Sequence, residues 1–338
     1  MSNQTKLPPM SYFKFRYSCY LHVLDFNETK YFQTLYELED ETFETVAGIF
    51  CFVFAAFIIV ANFTFIFGLM KTNRGLSRVQ KLFVYVSCVD MLTGFVGMPM
   101  LGLSVINGLT CLQQAVMISF IVFPVIADGF GMLTISLLRV RSIVKPLGSP
   151  KMARRKMVAV MATQDIVALL LTLVFFLVYT IGKTEILNFQ IVSYMASAFV
   201  ISINAGILIC VWFTLHQIRK KEDQSDDLSI MDKRRLINQR KSSKTLLIIA
   251  MVMLFSMILQ MPSLIILNKS LNDSTLLEGS TFIWTKRNAD FTAFVSSLNT
   301  GFNSVILMAR SNKIRKFLKR SVTTALTMTT YSTDSQGV

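Results

Sequence analysis

Between residues 47 and 309 the chain alternates long apolar runs with short polar, mostly basic segments. The runs fall at 47–70, 82–106, 112–138, 157–181, 187–215, 245–267 and 288–309. Each reaches the roughly 20 residues that an α-helix needs to cross hydrocarbon. Several hold hardly a charge: in 111–138 the only charged residue is Asp128. One such run reads equally well as a buried core helix. Seven in series do not, because no soluble fold hides so much apolar helix. The pattern predicts an all-α membrane protein, a bundle of seven transmembrane helices. After the last run, SNKIRKFLKR at 311–320 sets Ile314, Phe317 and Leu318 at helical spacing among basic residues. That is the signature of a short amphipathic eighth helix lying on the membrane surface.

These patterns divide the chain into an outer N-terminal segment (1–46), a membrane body (47–309), the amphipathic helix (310–320) and a Ser/Thr-rich tail (321–338). The N-terminal segment has an acidic stretch, ELEDETFE at 37–44. It lacks the charged start and apolar core of a cleavable signal peptide, so the first span is expected to act as the insertion signal. The tail carries nine Ser or Thr. It reads either as plain disorder or as a phosphorylation substrate that recruits a basic partner.

Composition agrees with the pattern. The chain of 338 residues is 53% hydrophobic and only 16% charged, with a mean hydropathy of +0.53; a soluble domain needs more polar surface. The net charge of +14 would by itself suit nucleic acid, but its placement argues for a membrane instead. Lys and Arg gather at 71–81 (four), 139–156 (seven), 219–244 (nine) and 310–320 (six), while 107–111 has none and 183–186 has one. Basic and poor segments alternate loop by loop, which is the positive-inside asymmetry. It predicts a multi-pass plasma-membrane protein with the N-terminus outside and the C-terminus cytoplasmic, its basic face near anionic lipid. Glycosylation sequons at Asn3, Asn27, Asn268 and Asn272 all fall on the predicted outside. The sequon at Asn62 lies within the first run and is not expected to carry a glycan.

Cysteine and histidine narrow the chemistry. Cys51, Cys88 and Cys210 lie within apolar runs and read as packing residues. Cys19 and Cys111 are both expected outside, where disulfides persist, and form the candidate pair. With only His22 and His216, a zinc site has too few ligands. No Gly-rich phosphate loop, nucleophile elbow or HExxH motif occurs. The chain does not read as an enzyme, and no cofactor is expected.

The informative residues are the polar ones inside the runs, because hydrocarbon penalises them by several kcal/mol unless they are paired. At about 1.5 Å per residue from the inner end of each run, Asn62 and Asp90 sit ~12 Å deep. Asp128 sits at ~16 Å, Asn299 and Asn303 at ~15 and ~9 Å, and Asp165 at ~12 Å. Ser296, Asn299 and Asn303 are spaced to share one helix face, as are Ser87, Asp90, Gly94 and Gly97. Asp165 reads as a local helix–helix hydrogen-bond donor. Asn62, Asp90, Asp128, Asn299 and Asn303 read as one polar cluster. Two carboxylates in such a place cannot both stay bare: either they share a proton or a small cation such as sodium sits between them.

Taken in order, these residues resemble the rhodopsin-like G-protein-coupled receptors. The features are Asn62 on the first span, Asp90 on the second with Pro99 nine residues on, and LRVRSIVKPL at 138–147, which is similar to the family's DRY-x-A-I-x-x-P-L. LQMPS places Pro262 as a sixth-helix kink proline, and NSVIL at 303–307 is similar to NPxxY. The resemblance covers about 47–320. It implies a receptor that relays an extracellular ligand to a heterotrimeric G protein, with arrestin and kinase at the tail. It makes Arg139, with Arg141 and Lys145, the G-protein-coupling surface, and Pro262 and Gln260 switch-related. The chain also departs from the family. Leu138 and Val140 flank the arginine, Gln260 stands for the usual tryptophan, Ser304 for the proline and Leu307 for the tyrosine. Asp128 occupies a position usually small and polar.

The outer half of the third run, AVMISFIVF at 115–123, has no acidic residue, and 288–309 has no Lys. An amine-binding aspartate and a retinal Schiff base are thereby excluded. An apolar or lipid-like ligand and a peptide greeted by Lys183, Glu185, Lys286, Arg287 and Asp290 both stay open. Beside the receptor stand two other readings: a seven-helix decoy or scaffold that does not couple, favoured by the lost motifs, and a transporter or channel, which would want internal repeats.

Overall fold

The computed structural model describes residues 41–73, 75–144, 154–181, 189–223, 237, 239–241, 243–256, 258–259, 262 and 280–334. The described residues are almost wholly helical, and no strand occurs among them. The helices are α1 (Glu41–Thr72), α2 (Arg78–Leu92), one π-helical turn (Thr93–Gly97), α3 (Met98–Asn107), α4 (Cys111–Val144), α5 (Arg154–Ile181), α6 (Phe189–Asp223), α7 (243–256), α8 (Ser280–Arg310) and α9 (Asn312–Asp334). Among the described residues four helices are long and apolar enough to cross a membrane: Thr42–Thr72, Val79–Asn107, Leu112–Val144 and Ala198–Glu222.

The helix ends follow local chemistry. Ser77 caps α2 through a reciprocal box: Gln80 N–H donates to Ser77 Oγ at 3.3 Å, and Ser77 N–H donates to Gln80 Oε1 at 2.8 Å. Thr110 and Gln113 build the same device before α4. Gly108 ends α3 at φ 73°, a left-handed conformation that suits glycine.

The second apolar run is not one regular helix. Its π-helical turn widens the coil between Asp90 and Pro99, so Gly94 and Gly97 do not share a face as the spacing suggested. Gly94 faces α1, where an added Cβ would meet Ile59, Ile58 and the Ala55 carbonyl; Gly97 faces α4 at Ile121 and the Phe120 carbonyl. The partner of this irregularity is Pro124 inside α4. Proline has no N–H to give to the carbonyl four residues back, which is Phe120. Thr93, fully buried on the π turn, donates its hydroxyl to that same carbonyl at 3.4 Å. An unusual turn on one helix thus serves the carbonyl that a proline releases on the next.

α4 is the hub of the bundle and packs against α2, the π turn, α3, α5, α6 and α8, while α1 packs against α2, α3, α8 and α9. One core cluster lies toward the α9 end and includes Phe65, Leu82, Ile135, Ile207, Leu246, Ile249 and Ile314. A second, toward the other end, includes Cys51, Phe54, Ile58, Met98, Leu101 and Met117. The outward faces remain apolar: Val46, Val53, Val60 and Phe63 on α1, and Ile209 and Trp212 on α6, are exposed.

Three helix boundaries differ from the sequence reading. α1 begins at Glu41, inside the segment assigned to the outer N-terminus, because Glu44 is buried (3% exposed) against Arg287 of α8 at 3.9 Å. α6 continues to Asp223, since Lys, Arg and Glu are good helix formers even where they read as loop. α9 runs on through Asp334 instead of stopping at 320. There Ser321, Thr323 and Thr324 turn their hydroxyls back to the carbonyls of Phe317, Lys319 and Arg320, and so satisfy themselves within the helix. The start of α9 docks as its amphipathic pattern predicts: Ile314 is fully buried beside Gly68 of α1, and Phe317 meets Phe67.

Candidate functional site

The five polar residues singled out in the apolar runs come together. Asn62 on α1, Asp90 on α2, Asp128 on α4, and Asn299 and Asn303 on α8 are each at most 4% exposed. The side-chain amides of Asn299 and Asn303, one turn apart, donate to the same oxygen, Asp128 Oδ2, at 2.9 and 2.7 Å. Asn62 donates to the carbonyls of Ile58 (2.9 Å) and Thr300 (3.0 Å) and accepts from the Ser304 hydroxyl. Ser304 in turn meets Ser87 Oγ at 3.2 Å. α1, α2, α4 and α8 are therefore pinned at one level by side chains that hydrocarbon would otherwise exclude.

The cluster is unevenly satisfied. Neither oxygen of Asp90 has a hydrogen-bond partner among the described residues, nor do Asp128 Oδ1, Asn299 Oδ1 and Asn303 Oδ1. Asp128 is the carboxylate held by donors; Asp90 is the bare one, and the two are close enough for their charges to interact. The whole set is hard oxygen. Among the described residues no three His, Cys, Asp or Glu converge, so the donor set fits a hard cation rather than a transition metal.

Two residues take other places than the spacing implied. Ser296 is half-buried and bonds the Thr292 carbonyl of its own helix; Ser297, Thr300 and Ser304 are the buried hydroxyls of α8. Asp165 accepts a hydrogen bond rather than donating one: the Tyr85 hydroxyl on α2 reaches its Oδ1, while neighbouring Gln164 reaches Thr134 and, at 3.3 Å, the Phe130 carbonyl. Ser304 and Thr93 make buried hydrogen bonds that the sequence did not single out. Ser304 stood out only as a departure from a motif, and Thr93 had no signal until Pro124 was placed beside it.

Arg139 lies near the end of α4 on the α9 side. It is half-buried, and its Nη1 has no hydrogen-bond partner among the described residues. Its neighbour Leu138 packs on the core cluster at that end, while Arg141 is exposed. The acidic group at 222–227, with Asp232, reads in the sequence as part of a flexible loop too distant to be an assured partner of Arg139. Instead Glu222, still on α6, is held by Arg240 at 3.0 and 3.3 Å. Beside it Lys221 donates to the Ile143 carbonyl at 2.6 Å and so ties α6 to the end of α4.

Lys145, Gln260, Cys19, Asn3, Asn27, Asn268 and Asn272 lie outside the described residues. Of Cys111 only its place at the start of α4 is described, so the Cys19–Cys111 pairing lies outside them as well. Pro262 is helical and exposed. No family model matches the chain, and no curated protein matches it.

Proposed function

We propose that this protein is a rhodopsin-like G-protein-coupled receptor: a seven-helix bundle of the plasma membrane, N-terminus outside, that relays an extracellular ligand to a heterotrimeric G protein. The observation that carries the reading is the polar cluster. Asn62, Asp90, Asn299 and Asn303 were named from their order and spacing along the chain; Asn299 and Asn303 both donate to Asp128, Asp90 is buried near enough for its charge to bear on Asp128, and Asn62 bonds the Thr300 carbonyl on the same stretch of α8. In such a bundle the cluster lets small helix movements change the pairing of buried charges, and Arg139 stands at the end of the helix that carries Asp128. The arginine's freedom from an acidic partner among the described residues supports its availability to a cytoplasmic protein.

The test is a panel of G-protein activation assays in cells expressing the full chain, with candidate ligands and without, run beside ion-flux recordings. Activation of at least one G-protein class that Arg139→Ala removes supports the receptor. Silence across the panel with normal surface expression favours the decoy or scaffold, and a flux favours transport.

A further inference from the structure

Arg287 of α8 leaves one edge of its guanidinium unsatisfied. Its Nε and Nη2 are buried and make no hydrogen bond among the described residues. These two N–H groups lie side by side on a guanidinium, and together they clamp two oxygens of a carboxylate or phosphate at once. Nη2 lies 3.9 Å from Glu44 Oε1 on α1, close enough to balance charge and too far for a hydrogen bond. The unsatisfied edge therefore faces the junction of α1 and α8, at the start of both helices as the protein is built. The guanidinium also lies over the Phe43 ring, 4.6 Å from its centroid, and that ring is half-exposed.

Charge decides which oxygens the edge takes. Asp290, one turn along α8, is near enough to Cys51 of α1 for its charge to bear on the thiol, so it shares this junction with Glu44 and Arg287. One positive and two negative groups offer little to a simple anion. They suit a zwitterion, with phosphate oxygens on Arg287 and a cation beside Glu44. A quaternary ammonium fits the second place best, because an aromatic face attracts it and Phe43 presents exposed ring surface there.

Beyond the charged end the junction is aromatic. Phe43, Phe50, Phe54 and Phe57 follow one another at helical spacing on one face of α1. Phe294 of α8 meets Phe50 and Phe54 at 5.4 and 5.1 Å between ring centroids, and Phe302 meets Phe57 at 5.9 Å. Phe50, Phe57 and Phe302 are nonetheless exposed, so the seam is open along its outer side. Phe43 to Phe57 spans about 21 Å of helix, and one leaflet with its headgroups is about 20–22 Å deep. An acyl chain lying along the seam stays within one leaflet while its headgroup reaches Arg287.

We propose that the α1–α8 seam binds a single-chain phosphocholine lipid, with the phosphate on Arg287, the trimethylammonium beside Phe43 and Glu44, and the acyl chain along the phenylalanines. The proposal takes from the receptor reading only the outward orientation of this end. Its readout is binding, so a silent G-protein panel leaves it standing, and a failure to bind leaves coupling to its own test.

The experiment uses the full-length protein in maltoside micelles at fixed detergent concentration. Radiolabelled palmitoyl lysophosphatidylcholine is the probe. Its competitors are lysophosphatidic acid, which lacks the choline, monopalmitoylglycerol, which lacks the whole headgroup, and free phosphocholine, which lacks the tail. Wild type is expected to bind one lipid per chain saturably, with each competitor weaker by about tenfold or more. Arg287→Gln should lower affinity about tenfold. Arg287→Lys, which keeps the charge and loses the paired N–H groups, should recover only a minor part of that loss. Phe43→Leu should narrow the preference for lysophosphatidylcholine over lysophosphatidic acid. The lipid-free unfolding midpoint checks that each variant is folded; if Arg287→Gln is not, Arg287→Lys and the wild-type preference decide the matter. Wild-type binding that does not saturate, or that monopalmitoylglycerol or lysophosphatidic acid competes as well as the probe itself, overturns the proposal. So does an affinity that Arg287→Gln leaves unchanged.

Discussion

Arg240 grips both carboxylate oxygens of Glu222, at 3.0 and 3.3 Å. The contact joins the end of α6 to the helical residues that lead into α7, close to where Lys221 holds the end of α4. Both side chains are partly exposed, at 43% and 30%, so water screens the pair and its worth is about 0.5 kcal/mol. A double-mutant cycle of Glu222→Gln and Arg240→Gln, read by thermal unfolding, should give a coupling below ~1 kcal/mol. The charge-swapped pair, Glu222→Arg with Arg240→Glu, should recover most of it. A coupling of several kcal/mol would mean that the site is far drier than the exposure implies.

Arg139 has no such partner among the described residues. On the receptor reading proposed above, an arginine not held by an acidic neighbour leaves the active state one restraint fewer, and about 1.4 kcal/mol of lost restraint is a tenfold population change. We therefore expect appreciable ligand-independent signalling, and expect Arg139→Ala to lower activation at least tenfold with surface expression intact. The obvious restoring change, Leu138→Asp, is a poorer test. Leu138 packs on the core cluster, and a carboxylate there would face apolar neighbours as well as the arginine. Unchanged signalling by Arg139→Ala at equal expression would reduce Arg139 to a residue that reaches for the membrane surface.

Orientation is open to a direct check. The positive-inside pattern predicts glycans on Asn27 and on at least one of Asn268 and Asn272. Glycosidase should shift the gel mobility of the wild-type protein made in mammalian cells, and should not shift a variant with all three replaced by Gln. A glycan on a sequon engineered into 224–230 would reverse the topology.

How much of this was legible in the sequence depends on whether a signal was local. Asn62, Asp90, Asp128, Asn299 and Asn303 announced themselves because polar side chains in apolar runs must find partners, and a shared depth implied that they find one another. Arg139 was singled out only by its place in a motif that resembles a family's, and the structure adds that it is half-buried near the end of α4 with Nη1 unpartnered among the described residues. The continuation of α6 to Asp223 was not legible because the apolar run ends at 215 and a stretch of mixed charge looks like loop, whereas the same residue types extend a helix that packing has already begun. The π turn at Thr93–Gly97 was invisible because its cause, the carbonyl that Pro124 leaves free, lies on another helix.

That last pairing makes a sharp case. Thr93→Val keeps shape and β-branching but removes the hydroxyl that serves the Phe120 carbonyl. The loss should be about 1–3 kcal/mol, the penalty for a buried acceptor left without a donor. Thr93→Ser keeps the hydroxyl and should lie within about 1 kcal/mol of wild type. If Pro124→Ala, which returns an N–H to that carbonyl, erases the cost of Thr93→Val in the double variant, the two irregularities are one device. If the costs simply add, they are independent.

Ser304 poses the opposite problem, a residue that looks like a defect and is not. It stands where the resembled family has proline, so Ser304→Pro would make the motif more typical. The side chain, 1% exposed, donates to Asn62 and meets Ser87. Proline there deletes the hydroxyl, removes the backbone N–H from the middle of α8, and sets its ring against the carbonyl of Thr300 four residues back. That carbonyl already accepts from Asn62 at 3.0 Å, so the same substitution strains both of the bonds that hold α1 to α8 at this level. The cost of an interior helix proline is about 3 kcal/mol or more, and the lost hydroxyl bonds add about 1 kcal/mol each at most. Ser304→Ala isolates the second term and should cost about 1–2 kcal/mol, because Asn62 Oδ1 is then left without its donor. Thermal unfolding of the two variants in micelles separates them: Ser304→Pro should lower the midpoint markedly more than Ser304→Ala. A Ser304→Pro protein as stable as wild type would show that α8 tolerates a family-like kink here and that the Asn62–Ser304 link is incidental to the fold.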